Sequence, residues 1–91
     1  MSRLVERVAV FDSDFREDLM YWIKTDRRAA LRTLELVDAI LSVPFEGIGK
    51  PEPLRFALTD CWSRRITKEH RLVYRVYEDR VVFLQARFHN E

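Results

Sequence analysis

Three runs of alternating character crowd the last third of the chain, about Trp62–Thr67, Arg71–Tyr77 and Val81–Phe88. Only Lys68-Glu69-His70 and Glu78-Asp79-Arg80 separate them. Connections this short can only reverse direction, because a parallel crossover needs a dozen residues or more. The runs therefore predict an antiparallel meander. Side chains alternate between the two faces of a strand. Even positions gather Trp62, Ile66, Leu72, Tyr74, Val76, Val82, Leu84, Ala86 and Phe88, while odd positions gather Arg65, Arg71, Arg75, Arg87 and His89. One face is expected to be apolar and covered, and the other to carry cations ending in a histidine. A face of that kind suits an anion, and the anion expected here is a phosphodiester.

The first half supplies the cover. Arg7–Phe11 reads as a short strand, with residues 1–6 as an adjunct. Asp12, Ser13 and Asp14 offer helix caps, and Asp14 with Glu17 has capping-box spacing. A first helix then carries Phe15, Leu19, Tyr21, Trp22 and Ile23. Thr25-Asp26 interrupts it and can cap a second, in which Ala30, Leu34, Val37 and Leu41 follow the helical period. Arg28, Arg32, Glu35 and Asp38 fall on that helix's solvated face. The expected fold class is α+β: two N-terminal helices packed on a mainly antiparallel sheet. With 91 residues, the chain is expected to form a single domain over 1–91.

Both glycines and all three prolines lie in one stretch, Pro44 to Pro53, with the sequence PFEGIGKPEP. This is a strongly punctuated loop joining helix to sheet. Pro51 and Pro53 bias the residues before them, Lys50 and Glu52, toward extended geometry. Glu52 is thereby restricted before any packing is considered. A rigid connector is the bland explanation of the stretch.

Composition narrows the function classes. Lys and Arg number 16 against 15 Asp and Glu, a formal net charge of +1. Residues 1–49 hold seven basic and nine acidic side chains, and residues 50–91 hold nine and six. Such a weak asymmetry excludes a general nucleic-acid coat, so any nucleic-acid contact should be local. The single cysteine, Cys61, excludes an internal disulfide framework and fits a reducing compartment. The start, MSRLVERVAVF, has neither the apolar run of a signal peptide nor that of a membrane span, so the cytoplasm is the expected location.

Several chemistries can be weighed on the residues. His70 and His89 are the only histidines, and Cys61 has no partner at ligand spacing, so no metal site is expected. His70 reads as a solvated residue at a hairpin turn. Cys61 reads as a small buried residue rather than a nucleophile. No phosphate-binding glycine loop, dinucleotide fingerprint or nucleophile elbow occurs. Acid–base cleavage of RNA needs a base for the ribose 2′-OH, an acid for the departing 5′-oxygen and cations for the charge on the phosphoryl oxygens. Glu52, Arg65, Arg71 and His89 supply those types, and the fork of an arginine matches two phosphate oxygens. The bland alternative pairs Arg65 and Arg71 with Glu69, Glu78 or Asp79 as surface ion pairs, each worth ~0–1 kcal/mol.

Two long motifs, PFEGIGKPEPL and WSRRITKEHRLVYRV, with the terminal arginine–aromatic–histidine, resemble the YoeB/Txe toxins of the RelE/ParE superfamily. The likeness runs over roughly residues 7–89 and includes Tyr21-Trp22 and Thr25-Asp26. It implies a RelE-like, microbial-RNase-like fold and a type II toxin that enters the ribosomal A site and cuts mRNA. It also implies a YefM/Axe-like antitoxin, frequent homodimers, operator DNA engaged only through the antitoxin, and no metal or organic cofactor. Carried across by motif, Glu52 is the expected general base and His89 the expected general acid. Arg65 and Arg71 are expected at the scissile phosphate, with Arg55 and Lys50 along the RNA. The family usually ends histidine–tyrosine, whereas His89 is followed here by Asn90 and Glu91. Loss of a stacking aromatic, worth ~1–3 kcal/mol in other RNA sites, predicts weakened activity or altered codon preference rather than lost chemistry. Asp60-Cys61 is a second departure, without expected catalytic consequence.

The residues predict acid–base cleavage of RNA, and the resemblance implies that it is ribosome-dependent and metal-independent. The alternative is a binding module in which the toxin fold mainly engages an antitoxin and co-represses its operon. A structural RNA-binding protein gives no reason for Glu52 to be held between prolines.

Overall fold

The structure, a computed structural model, describes residues 7–54 and 60–89. The elements run β1 (Val8–Phe11), α1 (Ser13–Thr25), α2 (Arg27–Ser42), β2 (Glu52–Pro53), β3 (Cys61–Arg65), β4 (Arg71–Val76) and β5 (Arg80–Phe88). Asp26 is the hinge of the helical half. Its extended backbone ends α1, and its carboxylate accepts from the Ala29 N–H at 3.2 Å to cap α2. At the other helix start the cap is Asp12, without a side-chain hydrogen bond, so the expected Asp14–Glu17 box does not form. Helix α2 buries Ala29, Ala30, Thr33, Leu36, Val37 and Ile40. That stripe is rotated from the expected one: Leu34 is 44% exposed and Leu41 only half-buried. The rotation follows from Ala29, Leu36 and Ile40, which place a wider apolar stripe on the neighbouring face.

The strands form one sheet in the order β1-β5-β4-β3-β2. β2, β3, β4 and β5 pair antiparallel in sequence, as the short connections require, while β1 joins β5 parallel after the chain has crossed over through both helices. The fold is α+β, with helices covering one face of a mainly antiparallel sheet. Phe15 of α1 stacks against Phe11 of β1 at 5.2 Å between centroids and tilts against Phe83 of β5 at 5.7 Å. Leu36, Ile40, Leu72, Tyr74, Val81 and Ala86 complete a core cluster in which each is fully buried. Burying a side chain of this size is worth ~1.5–3 kcal/mol before entropy is counted.

The expected alternation fails along β5. Val81 and Phe83, at odd positions, are fully buried, while Val82 and Leu84 are half-buried. Register shifts opposite Arg71–Tyr74 insert extra residues into β5 and bring the even-numbered Ala86 into the core. The Ala86 N–H turns to the Asp18 carboxylate of α1 at 2.9 Å. Arg87 accordingly leaves the expected cationic cluster and lies over the Tyr21 ring of α1, 3.6 Å from its centroid. Among the described residues, no helix is long and apolar enough to cross a membrane.

Candidate active site

Arg71 opens β4 and is the best anchored of the expected site residues. Its Nε donates to the Ser63 hydroxyl at 2.7 Å, and its Nη2 donates to the Lys50 carbonyl at 2.8 Å and the Ser63 carbonyl at 3.2 Å. Its side chain is only 6% exposed, and Nη2 lies 3.9 Å from the half-exposed Glu52 carboxylate. Burial pulls the Arg71 guanidinium below its ordinary range, Glu52 opposes that and neighbouring Arg65 adds to it. The group nevertheless remains a cation at neutral pH. Among the described residues no partner engages Nη1, so a fixed guanidinium presents part of its fork to an incoming anion.

Cross-strand pairing sets the rest. Arg65 lies opposite Arg71, and Glu52 lies opposite Ser63, the residue that holds Arg71. Glu52 therefore reaches the site as a strand residue, extended as expected. Lys50 is different: its φ of +52° puts it in the left-handed region, against the extended geometry expected before Pro51. This turn aims the Lys50 carbonyl at Arg71, while the Gly49 carbonyl accepts from the Arg65 N–H at 2.6 Å. The Lys50 side chain itself is exposed. Arg55 lies outside the described residues, as do Asn90 and Glu91.

His89 follows Phe88, which pairs with Arg71, so it emerges at the same end of the sheet as Glu52 and Arg65. Its ring meets that of His70 at 4.2 Å between centroids. His70 in turn meets the buried Trp22 ring at 5.0 Å. This corrects the reading of His70 as a solvated turn residue: it is half-buried, with Nδ1 enclosed and, among the described residues, without a hydrogen-bond partner. Arg75, expected on the same cationic face, sits at the far end of β4 and pairs with Asp60 at 3.8 Å. Of the odd-numbered cluster, the sheet thus keeps Arg65, Arg71 and His89 at one end and sends Arg75 and Arg87 elsewhere.

Arg64 is the neighbour of the site that the sequence reading passed over. It is fully buried beneath the proline–glycine loop. Its Nε donates to the Tyr74 hydroxyl at 3.3 Å, Nη1 to the Ile48 carbonyl at 3.2 Å, and Nη2 to the carbonyls of Glu46, at 2.9 Å, and Val43. The Tyr74 hydroxyl donates to the Pro44 carbonyl at 2.7 Å. No carboxylate is among these partners; carbonyl dipoles at the C-cap of α2 and in the loop after it hold the charge. The signal was its parity, an arginine at an even position between Trp62 and Ile66, followed by a loop whose carbonyls need donors.

A carboxylate, a fixed guanidinium, a second arginine and an imidazole at one end of the sheet can move protons and hold a phosphoryl group. The chain matches the model of the YoeB-like toxin of bacterial type II toxin-antitoxin systems over residues 11–90. This chain belongs to that family. The YoeB toxin of Mycobacterium bovis is 52% identical over 79 residues, covering 87% of this chain and 93% of that one. Among solved structures, the YoeB dimer of Staphylococcus aureus superposes with a TM-score of 0.86 at 35% identity, covering 93% of this chain and 99% of that one. The YoeB–YefM complex from the same organism gives 0.80 at 33% identity, covering 98% and 100%. The YoeB-like chain is thus a toxin of a type II toxin–antitoxin system.

Proposed function

We propose that this toxin is a ribosome-dependent endoribonuclease, an mRNA interferase, acting as one domain over residues 1–91 in the bacterial cytoplasm. The observation that carries the reading is the 3.9 Å approach of the half-exposed Glu52 carboxylate to the buried Arg71 guanidinium. Arg71 is anchored by Ser63 and the Lys50 carbonyl, so a phosphate can take its place beside Nη1 without releasing the anchor. Glu52 takes the proton of the ribose 2′-OH, and the 2′-oxygen attacks the adjacent phosphorus. Arg71 and Arg65 hold the charge that builds on the phosphoryl oxygens. The bond to the 5′-oxygen breaks as His89 gives that oxygen its proton. The products are a 2′,3′-cyclic phosphate, or its opened 3′-phosphate, and a 5′-hydroxyl. Each proton transfer contributes ~10²–10⁴ in rate, and the preorganised clamp a further ~10²–10³. No metal or organic cofactor enters this scheme.

Lys50 and Arg55 lie along the RNA in this reading. A YefM-like antitoxin and a second copy of the chain are the proposed protein partners, with operator DNA reached through the antitoxin. Phe11, Tyr21, Ile23, Leu31 and Phe45 are each at least 40% exposed and supply apolar surface for such partners.

Glu52→Gln and His89→Ala should each lower cleavage by at least ~10²-fold while leaving the thermal midpoint within a few degrees. The measurement is primer-extension mapping of mRNA ends after induction without antitoxin. Growth arrest and new 5′ ends are expected from the wild type only. Intact mRNA with the wild type leaves the binding-module reading in its place.

A further inference from the structure

His89 needs a brace. Strand β5 ends at Phe88, so the backbone ladder stops one residue short of it, and the side chain is exposed. An imidazole in that position spreads over its rotamers unless packing selects one. A general acid spread in this way is seldom in reach of the leaving oxygen, and misplacement by about 1 Å can cost ~10²-fold in rate.

His70 meets the requirement. It closes the β3–β4 connection, where its N–H donates to the Thr67 hydroxyl at 3.1 Å. Its carbonyl accepts from the Ile66 N–H at 2.9 Å and the Thr67 N–H at 3.1 Å. Its ring is wedged edge-on between two others: Trp22, at 5.0 Å and 75°, and His89, at 4.2 Å and 75°. Trp22 is itself fixed, 6% exposed, with its indole N–H donating to the Ala86 carbonyl at 2.8 Å. The line Ala86–Trp22–His70–His89 thus ties the exposed imidazole to the core. T-shaped aromatic contacts are directional, so they set ring angle as well as position. Among the described residues the buried Nδ1 of His70 has no hydrogen-bond partner, and the contacts its ring does make are the two edge-on aromatic ones.

We infer that His70 is a positioning residue that holds the His89 imidazole in its proton-donating orientation through ring-on-ring packing relayed from Trp22. The inference rests on the nuclease reading above and adds to it a residue that touches no substrate. His70→Ala lowers the maximal rate of mRNA cleavage on programmed ribosomes ~10–100-fold, with the half-saturating toxin concentration within about twofold of wild type. His70→Phe, which keeps a flat ring without a nitrogen, restores the rate to within about threefold. His70→Leu, which fills volume without a ring face, does not. Thermal midpoint and antitoxin affinity measured on each variant separate misplacement from unfolding. In the wild-type toxin, ring-proton cross-relaxation between His70 and His89 is expected whatever the activity, and its absence overturns the inference. No cleavage by the wild type defeats the nuclease reading and the inference with it. Cleavage by the wild type together with an equally fast His70→Ala, or a His70→Phe as slow as His70→Ala, defeats the inference alone.

Discussion

Adjacent arginines in the WSRR motif have opposite fates, and strand parity decides between them. Arg64 points into the molecule and holds loop carbonyls, whereas Arg65 is exposed beside Arg71. The expected site residues Arg65 and Arg71 were legible because cations at alternate positions stand out in a strand. Arg64 was not, because even positions of these strands read as apolar and a buried unpaired cation is costly in general. The burial of His70 was hidden for a related reason: the ring that covers it comes from Trp22, 48 positions upstream by the numbering. Arg71→Lys tests how much depends on shape rather than charge. Lysine keeps the cation but cannot reach Ser63 Oγ and the Lys50 carbonyl with one planar fork. Stability should fall by ~1–3 kcal/mol and cleavage by ~10²-fold. Urea denaturation and the ribosome cleavage assay read the two effects; a lysine variant with wild-type rates would show that charge alone suffices.

At the scale of elements, the proline–glycine loop was legible as one rigid unit, but its internal geometry was not. Punctuation by Pro44, Gly47, Gly49, Pro51 and Pro53 marks a connector. It does not reveal that the connector wraps a guanidinium or that Lys50 is left-handed. The strands show the same division. Their existence followed from the alternating runs, while the shifts in β5 did not, since nothing in Val81–Phe88 announces where a residue is inserted. Of the loop's two glycines, Gly49 lies closer to the core. Its φ is +85°, and a Cβ there would come within 2.9 Å of Leu36 Cδ2 and 3.1 Å of Arg64 Cβ. Gly49→Ala therefore meets backbone strain and crowding together, and should cost ~2–5 kcal/mol. Since the next residue's carbonyl anchors Arg71, cleavage by the folded fraction should fall as well. Chemical denaturation and a cleavage assay well below the unfolding midpoint measure both; an alanine variant as stable as wild type would mean that the loop can shift freely.

Across the whole molecule, the helical layer, the loop and the sheet meet at Tyr74, which is fully buried in β4. Its hydroxyl donates to the Pro44 carbonyl and accepts from Arg64, whose other donors reach the Val43 carbonyl at the end of α2 and the loop carbonyls of Glu46 and Ile48. The α+β layering was legible from periodicity and connection length. The parallel pairing of β1 with β5 was not, because a four-residue strand carries no record of its partner. The Tyr74 junction makes a pH-dependent prediction. Burial raises the Tyr74 pKa above its ordinary value, against lowering contributions from Arg64 and Arg71. The folded state thus keeps the phenolic proton more tightly than the unfolded chain does. The resulting stabilisation is fully present below the unfolded value of ~10 and is lost as pH climbs from there through the folded value. Tyr74→Phe removes the two hydrogen bonds and should be ~1–2 kcal/mol less stable at pH 7. It also removes the titrating group, so the gap between wild type and Tyr74→Phe should narrow above pH ~10. Other groups that titrate there are common to both proteins and cancel in the difference. Urea midpoints for the pair across the alkaline range give that difference directly, and a gap that stays constant or widens would mean the hydroxyl ionises at least as readily in the fold as outside it.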